Sequence, residues 1–325
     1  MIISREGNKD KWIYKDSKGV IIKDANILEY IKKLVIPPAY NRVVIFYEKS
    51  PKILFQGYDD KERLQQIYSK EWREKADIAK FTSLINFGKK LPQMTLKMLE
   101  HIKDNKITKN KLISIILRIT ALCGFRIGQL KYHKLYNSVG LSTLQKKHLK
   151  FVNNSLDVKF IGKKGVLNEC TIDDALIVAE IKKISATKKD NDFLFTYDSE
   201  ENGNKETKII NAIDVNNWLK NYDPNFTTKY FRTFEVNDKL IDFLKNTEPE
   251  KKTLNQRKKT IVEAIKDVSC SINNTPAICK KSYLNQKLID LYINHPKKYK
   301  KQLIDNNFSS RVNFIKFLET NYSKK

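Results

Sequence analysis

Four separated stretches of this chain carry residue types suited to one reaction. The stretch C-G-F-R-I-G-Q-L-K-Y places Arg126 behind an apolar run, between Gly124 and Gly128, whose freedom lets a backbone come close to the arginine. G-K-K-G sets Lys163 at the tip of a strand-turn-strand pattern. K-Y-F-R-T-F puts Arg232 among Tyr230, Phe231 and Phe234, where packing holds it. N-T-P-A-I-C-K-K-S-Y ends on Tyr283, behind Lys280 and Lys281, in a polar and basic setting unlike that of a core tyrosine. Guanidinium forks match phosphate oxygens and stay charged at physiological pH. A lysine can hand over a proton and a tyrosine hydroxyl can attack, so the set suits transfer at a phosphate.

The elements that must hold these groups fall into two patterns. In the first eighty residues short strands alternate with turns. W-I-Y-K-D-S-K-G-V-I-I-K reads as a hairpin around Asp16 to Gly19, and R-V-V-I-F-Y-E and K-I-L-F-Q-G-Y-D as two further strands. Between them N-I-L-E-Y-I-K-K-L reads as a helix that stops before Pro37 and Pro38. From about Glu71 onward apolar residues recur at helical spacing, most clearly in K-L-I-S-I-I-L-R-I-T-A-L-C. One β interlude, S-L-D-V-K-F-I-G-K-K-G-V-L-N-E-C-T-I, joins two strands at the Lys163 turn. Helices are expected around 174–184, 209–219, 239–245, 260–268, 275–292 and 309–318, with S-E-E-N-G-N-K-E-T and N-T-E-P-E-K-K-T as loops. The fold class is therefore α+β: a small β-rich unit over 1–78 and a larger, mainly α unit over 79–325 with a β-hairpin insertion.

Composition narrows the partners. Sixty-two Lys and Arg against 37 Asp and Glu leave a formal charge of +25, which makes a polyanion the first candidate. A codon bias toward lysine would inflate that charge but would not place the arginines where they stand. With 41% hydrophobic residues in short blocks, no run is long enough to cross a bilayer, and the opening M-I-I-S-R-E-G-N-K-D lacks the apolar core of a signal peptide. Cys123, Cys170, Cys270 and Cys279 show no paired spacing, so neither a zinc site nor a disulfide framework is expected, and a reducing compartment fits.

Taken in order, the motifs resemble those of type IB DNA topoisomerases, most closely the small poxvirus-type enzymes. An R-x-G-x-x-K-Y context matches Arg126, Gly128, Lys131 and Tyr132, and N-x-V-G-L-x-T-L-x-x-K-H matches Asn137 to His148. F-x-G-K matches Lys163, K-x-x-R matches Lys229 and Arg232, and T-P-x-I-x-K-x-x-Y matches Thr275 to Tyr283. Near the start, G-Y-D-D-K-E-R-L-Q-Q-I-Y-S-K-E-W resembles a family stretch that lies on DNA and brings in Arg63 and Tyr68. The resemblance implies a DNA breaking-rejoining fold, with Tyr283 as the nucleophile that attacks a backbone phosphate and releases a 5′-hydroxyl. Arg126 and Arg232 would stabilise the phosphoryl transition state, and Lys163 would protonate the departing oxygen. It implies no metal and no cofactor, since a phosphotyrosine keeps the bond energy for religation. It further implies double-stranded DNA as partner, held by a monomer that closes as a clamp, and DNA contacts from Lys131, Tyr132, Lys229, Arg63 and Tyr68. The expected location is intracellular, with virion and host cytoplasm if the chain is viral. A short pyrimidine-rich cleavage sequence is implied as well.

One position departs from the pattern. The family places a histidine before the T-P pair, where it donates to a nonbridging phosphate oxygen; here Asn274 stands there, and its amide can also donate. The runner-up reading is a tyrosine recombinase, whose second arginine usually follows H-x-x-R rather than K-x-x-R. A third is a non-catalytic DNA-binding relative in which Tyr283 is inert and phosphate contacts alone supply affinity.

Overall fold

The structure, a computed structural model, describes residues 1–8, 11–201, 204–304 and 308–323. It divides into two compact units, Met1–Lys80 and Phe81–Lys325. The first carries strands β1 (Ile2–Asn8), β2 (Lys11–Asp16), β3 (Asn41–Phe46), β4 (Ile53–Tyr58) and β5 (Leu64–Tyr68), with helix α1 (Ala25–Lys33) between β2 and β3. The strands form one antiparallel sheet in the order β2-β1-β3-β4-β5. Alternation along β1, β3 and β4 sends Ile3, Val43, Ile45 and Phe55 to one face, where Ile31 of α1 joins them in a small core. Each such side chain contributes about 1.5–3 kcal/mol when removed from water. Asp24 caps α1 by accepting from the Asn26 and Ile27 amides.

Two features of this unit add to the expected elements. The segment W-I-Y-K-D pairs along its length with the preceding Ile2–Asn8, and the hairpin expected around Asp16 to Gly19 is present in short form: the Asp16 amide donates to the Val20 carbonyl and the Ile22 amide to the Tyr14 carbonyl, both at 2.9 Å, about the bridge Lys15 to Ile21. Residues 9 and 10, between β1 and β2, lie outside the described residues. The stretch Leu64–Tyr68 is an edge strand, which its run of polar residues concealed.

The boundary between the units falls inside α2 (Lys70–Ile102). The second unit continues with α3 (Lys109–Cys123), α4 (Leu130–Tyr136), β6 (Leu149–Val152), β7 (Ser155–Ile161), β8 (Leu167–Ile172), α5 (Ala175–Ala186), β9 (Thr196–Glu201), β10 (Asn204–Ile209), α6 (Ala212–Lys220) and α7 (Thr228–Leu244). It ends with α8 (Leu254–Cys270), α9 (Pro276–Ser282), α10 (Gln286–Asn294), α11 (Pro296–Leu303) and α12 (Ser310–Tyr322). Helices α3 and α7 run through the core with most sides buried, and every residue of Leu112–Leu117 is buried. Strands β6, β7 and β8 form a three-stranded antiparallel sheet, so the expected hairpin gains a third strand.

Three further expectations are corrected here. The polar stretch S-E-E-N-G-N-K-E-T belongs to the ribbon β9–β10, apart from residues 202 and 203, which are not described. The single helix expected over 275–292 is two helices, α9 and α10, separated at Tyr283–Asn285. The cysteines are not all incidental: Cys123 at the end of α3 and Cys170 on β8 are joined in a disulfide, with Cα atoms 5.7 Å apart. The pair lies 47 residues apart in sequence and meets only because α3 packs on β8, so local spacing held no sign of it. Cys270 is free and exposed, and Cys279 free and buried.

Candidate active site

The site forms where three segments converge on α7. Helix α3 stops at Gly124, which adopts the left-handed conformation (φ 62°) and donates its amide to Thr120. A β-carbon on Gly124 would sit 2.7 Å from the Ile272 Cα, so glycine is required for the end of α3 to touch the segment that precedes α9. Beyond Arg126, Gly128 meets Gly140 in the same way: a β-carbon on Gly140 would lie 2.6 Å from the Gly128 Cα. The glycines that bracket Arg126 therefore let backbones approach, as their spacing suggested.

Arg232 is 4% exposed on α7 and binds both approaching segments. Its Nη1 donates to the Gly124 carbonyl and its Nη2 to the Ile272 carbonyl at 3.1 Å. Its Nε is buried without a hydrogen-bond partner, a state that costs about 1–3 kcal/mol for a polar group unless a ligand supplies an acceptor. The guanidinium carbon lies 5.2 Å from the centre of the Tyr283 ring. Burial lowers the Arg232 pKa to about 10; Tyr283 opposes that shift and the nearby Arg126 charge adds to it. The group is still a cation at neutral pH.

Arg126 reaches the site from the other side, donating from Nη2 to Asn274 Oδ1 at 3.0 Å. The Asn274 Nδ2 donates to the Ile272 carbonyl at 3.3 Å, a long and replaceable bond. The neighbouring Asn273 serves a different purpose. With a left-handed backbone (φ 50°), it donates to the Cys123 carbonyl at 3.3 Å and accepts from the Glu169 amide on β8 at 3.1 Å. Thus Asn274 faces the arginine, while Asn273 ties the segment to α3 and β8.

Tyr283 is 8% exposed at the C-terminal cap of α9, a helix opened by Thr275 as cap and Pro276 in its first turn. Its burial is unlike the open setting its basic neighbours suggested, because the ring turns in toward Arg232 while Lys280 and Lys281 stay exposed. Asn237, fully buried and five residues after Arg232 on α7, fixes the backbone there. Its Nδ2 donates to the Tyr283 carbonyl at 2.9 Å, and its Oδ1 accepts from the Asn285 amide at 2.8 Å. Asn285 in turn caps α10 through the Leu288 amide. Asn237 was missed in the sequence, although an asparagine within a buried helix face signals a demanding hydrogen-bond task.

Lys163 is not brought to these groups. It lies exposed in the turn after β7, where Lys164 and Gly165 take positive φ, and among the described residues it makes no hydrogen bond or ion pair. The base of its hairpin is well held: Val139 donates to the Ile161 carbonyl at 2.9 Å, and Glu169 to Asn273. Of the other candidates, Lys131 and Tyr132 are exposed on α4, which buries none of its residues. Lys229 is exposed in the first turn of α7.

In the first unit Arg63 is engaged by Asp59 at 2.9 and 2.6 Å, which holds that carboxyl at about 2. Tyr68 stacks on Trp72 with ring centres 4.3 Å apart, and the Lys52 ammonium lies 5.2 Å from the Trp72 ring. That patch combines a cation with aromatic faces. Among the described residues, no helix is long and apolar enough to cross a membrane.

Residues 69–307 match the family model of the eukaryotic DNA topoisomerase I catalytic core, and residues 11–59 that of the bacterial DNA topoisomerase IB N-terminal domain. A DNA topoisomerase 1B of Acanthamoeba polyphaga mimivirus is 33% identical over 90% of this chain and 88% of its own. DNA topoisomerase 1 of Rabbit fibroma virus is 26% identical over 96% and 97%, and DNA topoisomerase 1B of Vaccinia virus 24% over 86% and 88%. The chain belongs to the type IB DNA topoisomerase family.

Proposed function

We propose that this protein relaxes supercoiled double-stranded DNA by cleaving one strand through a 3′-phosphotyrosyl ester on Tyr283 and then resealing it. The observation that carries this reading is Arg232: a buried cation with an unpartnered Nε, beneath the ring of the one tyrosine in the matched motif. A phosphate seated there would give that nitrogen its acceptor. Arg126 and Arg232 stabilise the charge that builds on the phosphorus oxygens, and fixed donors in a dry site do so without reorganising. Asn274 exchanges its long bond to Ile272 for one to a nonbridging oxygen, held in place by Arg126. Tyr283 attacks phosphorus as its proton leaves, the 5′-oxygen departs, and Lys163 protonates it once the hairpin swings its tip inward.

No metal, cofactor or nucleotide takes part, because the ester to Tyr283 preserves the energy of the broken bond. The charge of +25 draws the protein to duplex DNA, on which it closes as a monomeric clamp. Lys131, Tyr132 and Lys229 from one unit, and Arg63 and Tyr68 from the other, supply contacts. The intracellular setting belongs to the same proposal.

Plasmid relaxation tests the reading. The wild-type chain is expected to relax supercoils in chelator without ATP, and Tyr283→Phe to bind the plasmid with no relaxation. Relaxation by the Phe variant, or an absolute need for metal or ATP, would overturn it. A requirement for paired sites and a tetramer would favour the recombinase reading instead.

A further inference from the structure

The disulfide joins two places that matter for the reaction. Cys123 is the last residue of α3, directly before Gly124, whose carbonyl holds Arg232, and three residues before Arg126. Cys170 is paired with Val158 across the hairpin whose tip carries Lys163. Beside the bridge, the Asn273 side chain spans the same gap by hydrogen bonds to Cys123 and Glu169. The arginine segment and the hairpin base are thus joined by one covalent link and one side-chain amide, beside the backbone bond from Val139 to Ile161.

We propose that Cys123 and Cys170 form a reversible thiol–disulfide site that sets how well the Lys163 hairpin is delivered to the phosphate. The proposal rests on the reading of Lys163 as general acid. The exchange partner is a dithiol. Its thiolate attacks the sulfur of Cys170, which is only partly buried, whereas Cys123 is 1% exposed. The Cys123 sulfur leaves with the electron pair of the S–S bond and takes a proton. The second thiol of the reagent then displaces Cys170 as a thiol, and the dithiol ends as a disulfide. Two electrons pass from reagent to protein, and a disulfide oxidant reverses the step. After reduction the Asn273 amide and the Val139–Ile161 backbone bond remain, and the hairpin base gains freedom that the exposed tip amplifies.

The test uses the full chain in two states, treated with a disulfide oxidant or with a dithiol. Alkylation after denaturation is expected to label Cys270 and Cys279 in the oxidised protein and all four cysteines after reduction. Single-turnover cleavage of an ordinary strand should slow on reduction by about tenfold, part of the 10²–10⁴ a positioned acid can supply. Cleavage of a strand with a 5′-thiolate leaving group, which departs without protonation, should be the same in both states. Cys170→Ser should match the reduced protein and ignore the dithiol. Four labels in the oxidised protein, equal rates on the ordinary strand in both states, or equal slowing on both strands would overturn the proposal. Lys163→Ala separates the two ideas. If it slows both strands equally, the general-acid assignment fails and the delivery step with it, whereas the labelling count reports on the cysteines alone.

Discussion

Arg232 and Lys163 are held in opposite ways. The first lies within the core, fixed to the Gly124 and Ile272 carbonyls; the second stands in solvent at the end of a hairpin. Charge stabilisation requires donors that do not move as the reaction proceeds, so burial suits an arginine whose pKa stays far above neutrality. Proton delivery requires a group that arrives when the leaving oxygen does, and an exposed tip on a well-held base suits that. On the proposed mechanism, one half of this site is assembled before DNA binds and the other half is completed on it.

Substitutions on either side test this contrast. The largest loss is expected from Arg232→Ala, on the order of 10³-fold in single-turnover cleavage. Two backbone carbonyls lose their donor as well, so thermal stability should fall together with the rate. Arg232→Lys should restore little, because an ammonium lacks the planar fork that spans both carbonyls. If Arg232→Ala retained near-normal cleavage, the preassembled half would lose its centre.

Lys163→Ala should cost less, roughly 10²-fold, and leave stability unchanged because the side chain is exposed. The deficit should vanish on a strand with a 5′-thiolate leaving group. A fall in stability comparable to that of Arg232→Ala would contradict the split between the two halves.

Asn274→Ala comes next, at about tenfold, since a neutral donor contributes less than a charged one. Asn273→Ala should act differently, lowering stability through its lost bonds to Cys123 and Glu169 more than it lowers the rate. The reverse ranking would move the donor role to Asn273. Asn274→His should retain activity and gain further below about pH 6.5, where the ring becomes a cation.

The smallest effect concerns stability against pH. Burial holds His148 down to about 4, and its Nδ1 accepts from the Gln145 amide at 3.0 Å. A depressed folded-state value means that the neutral ring's contribution is complete above the unfolded value near 6.5. It is lost as pH falls from there through about 4, by on the order of 1–3 kcal/mol. Urea unfolding between pH 7 and pH 4 would show it, and His148→Gln should flatten that slope.

How much was readable in advance follows from where the signal lies. Helix α3 announced itself because eight of its residues are aliphatic at helical spacing, and the β7–β8 hairpin because glycines bracket its turn. The motif residues Arg126, Arg232, Asn274 and Tyr283 were legible as types, and only the family resemblance, not their local spacing, implied that they meet. Arg232 reaches carbonyls 108 and 40 residues away, which no local pattern encodes. The break at Tyr283 was hidden because apolar spacing continues through Leu284 and Leu288. Asn237 enforces it from another helix, although Asn285 before Q-K-L-I is itself a readable cap. The ribbon β9–β10 is polar along most of its length and resembled a loop for that reason. The Cys123–Cys170 bridge belongs with these non-local features.

On the proposed mechanism Tyr283 becomes covalently bonded to DNA at the preassembled arginines. The most direct measurement is to trap the protein on a nicked duplex that releases its cleaved end, digest both polymers, and locate the nucleotide adduct by mass spectrometry. The result expected is a phosphodiester on Tyr283, absent in Tyr283→Phe and sharply reduced in Arg232→Ala. An adduct on another tyrosine, or efficient strand cleavage with none, would contradict the account.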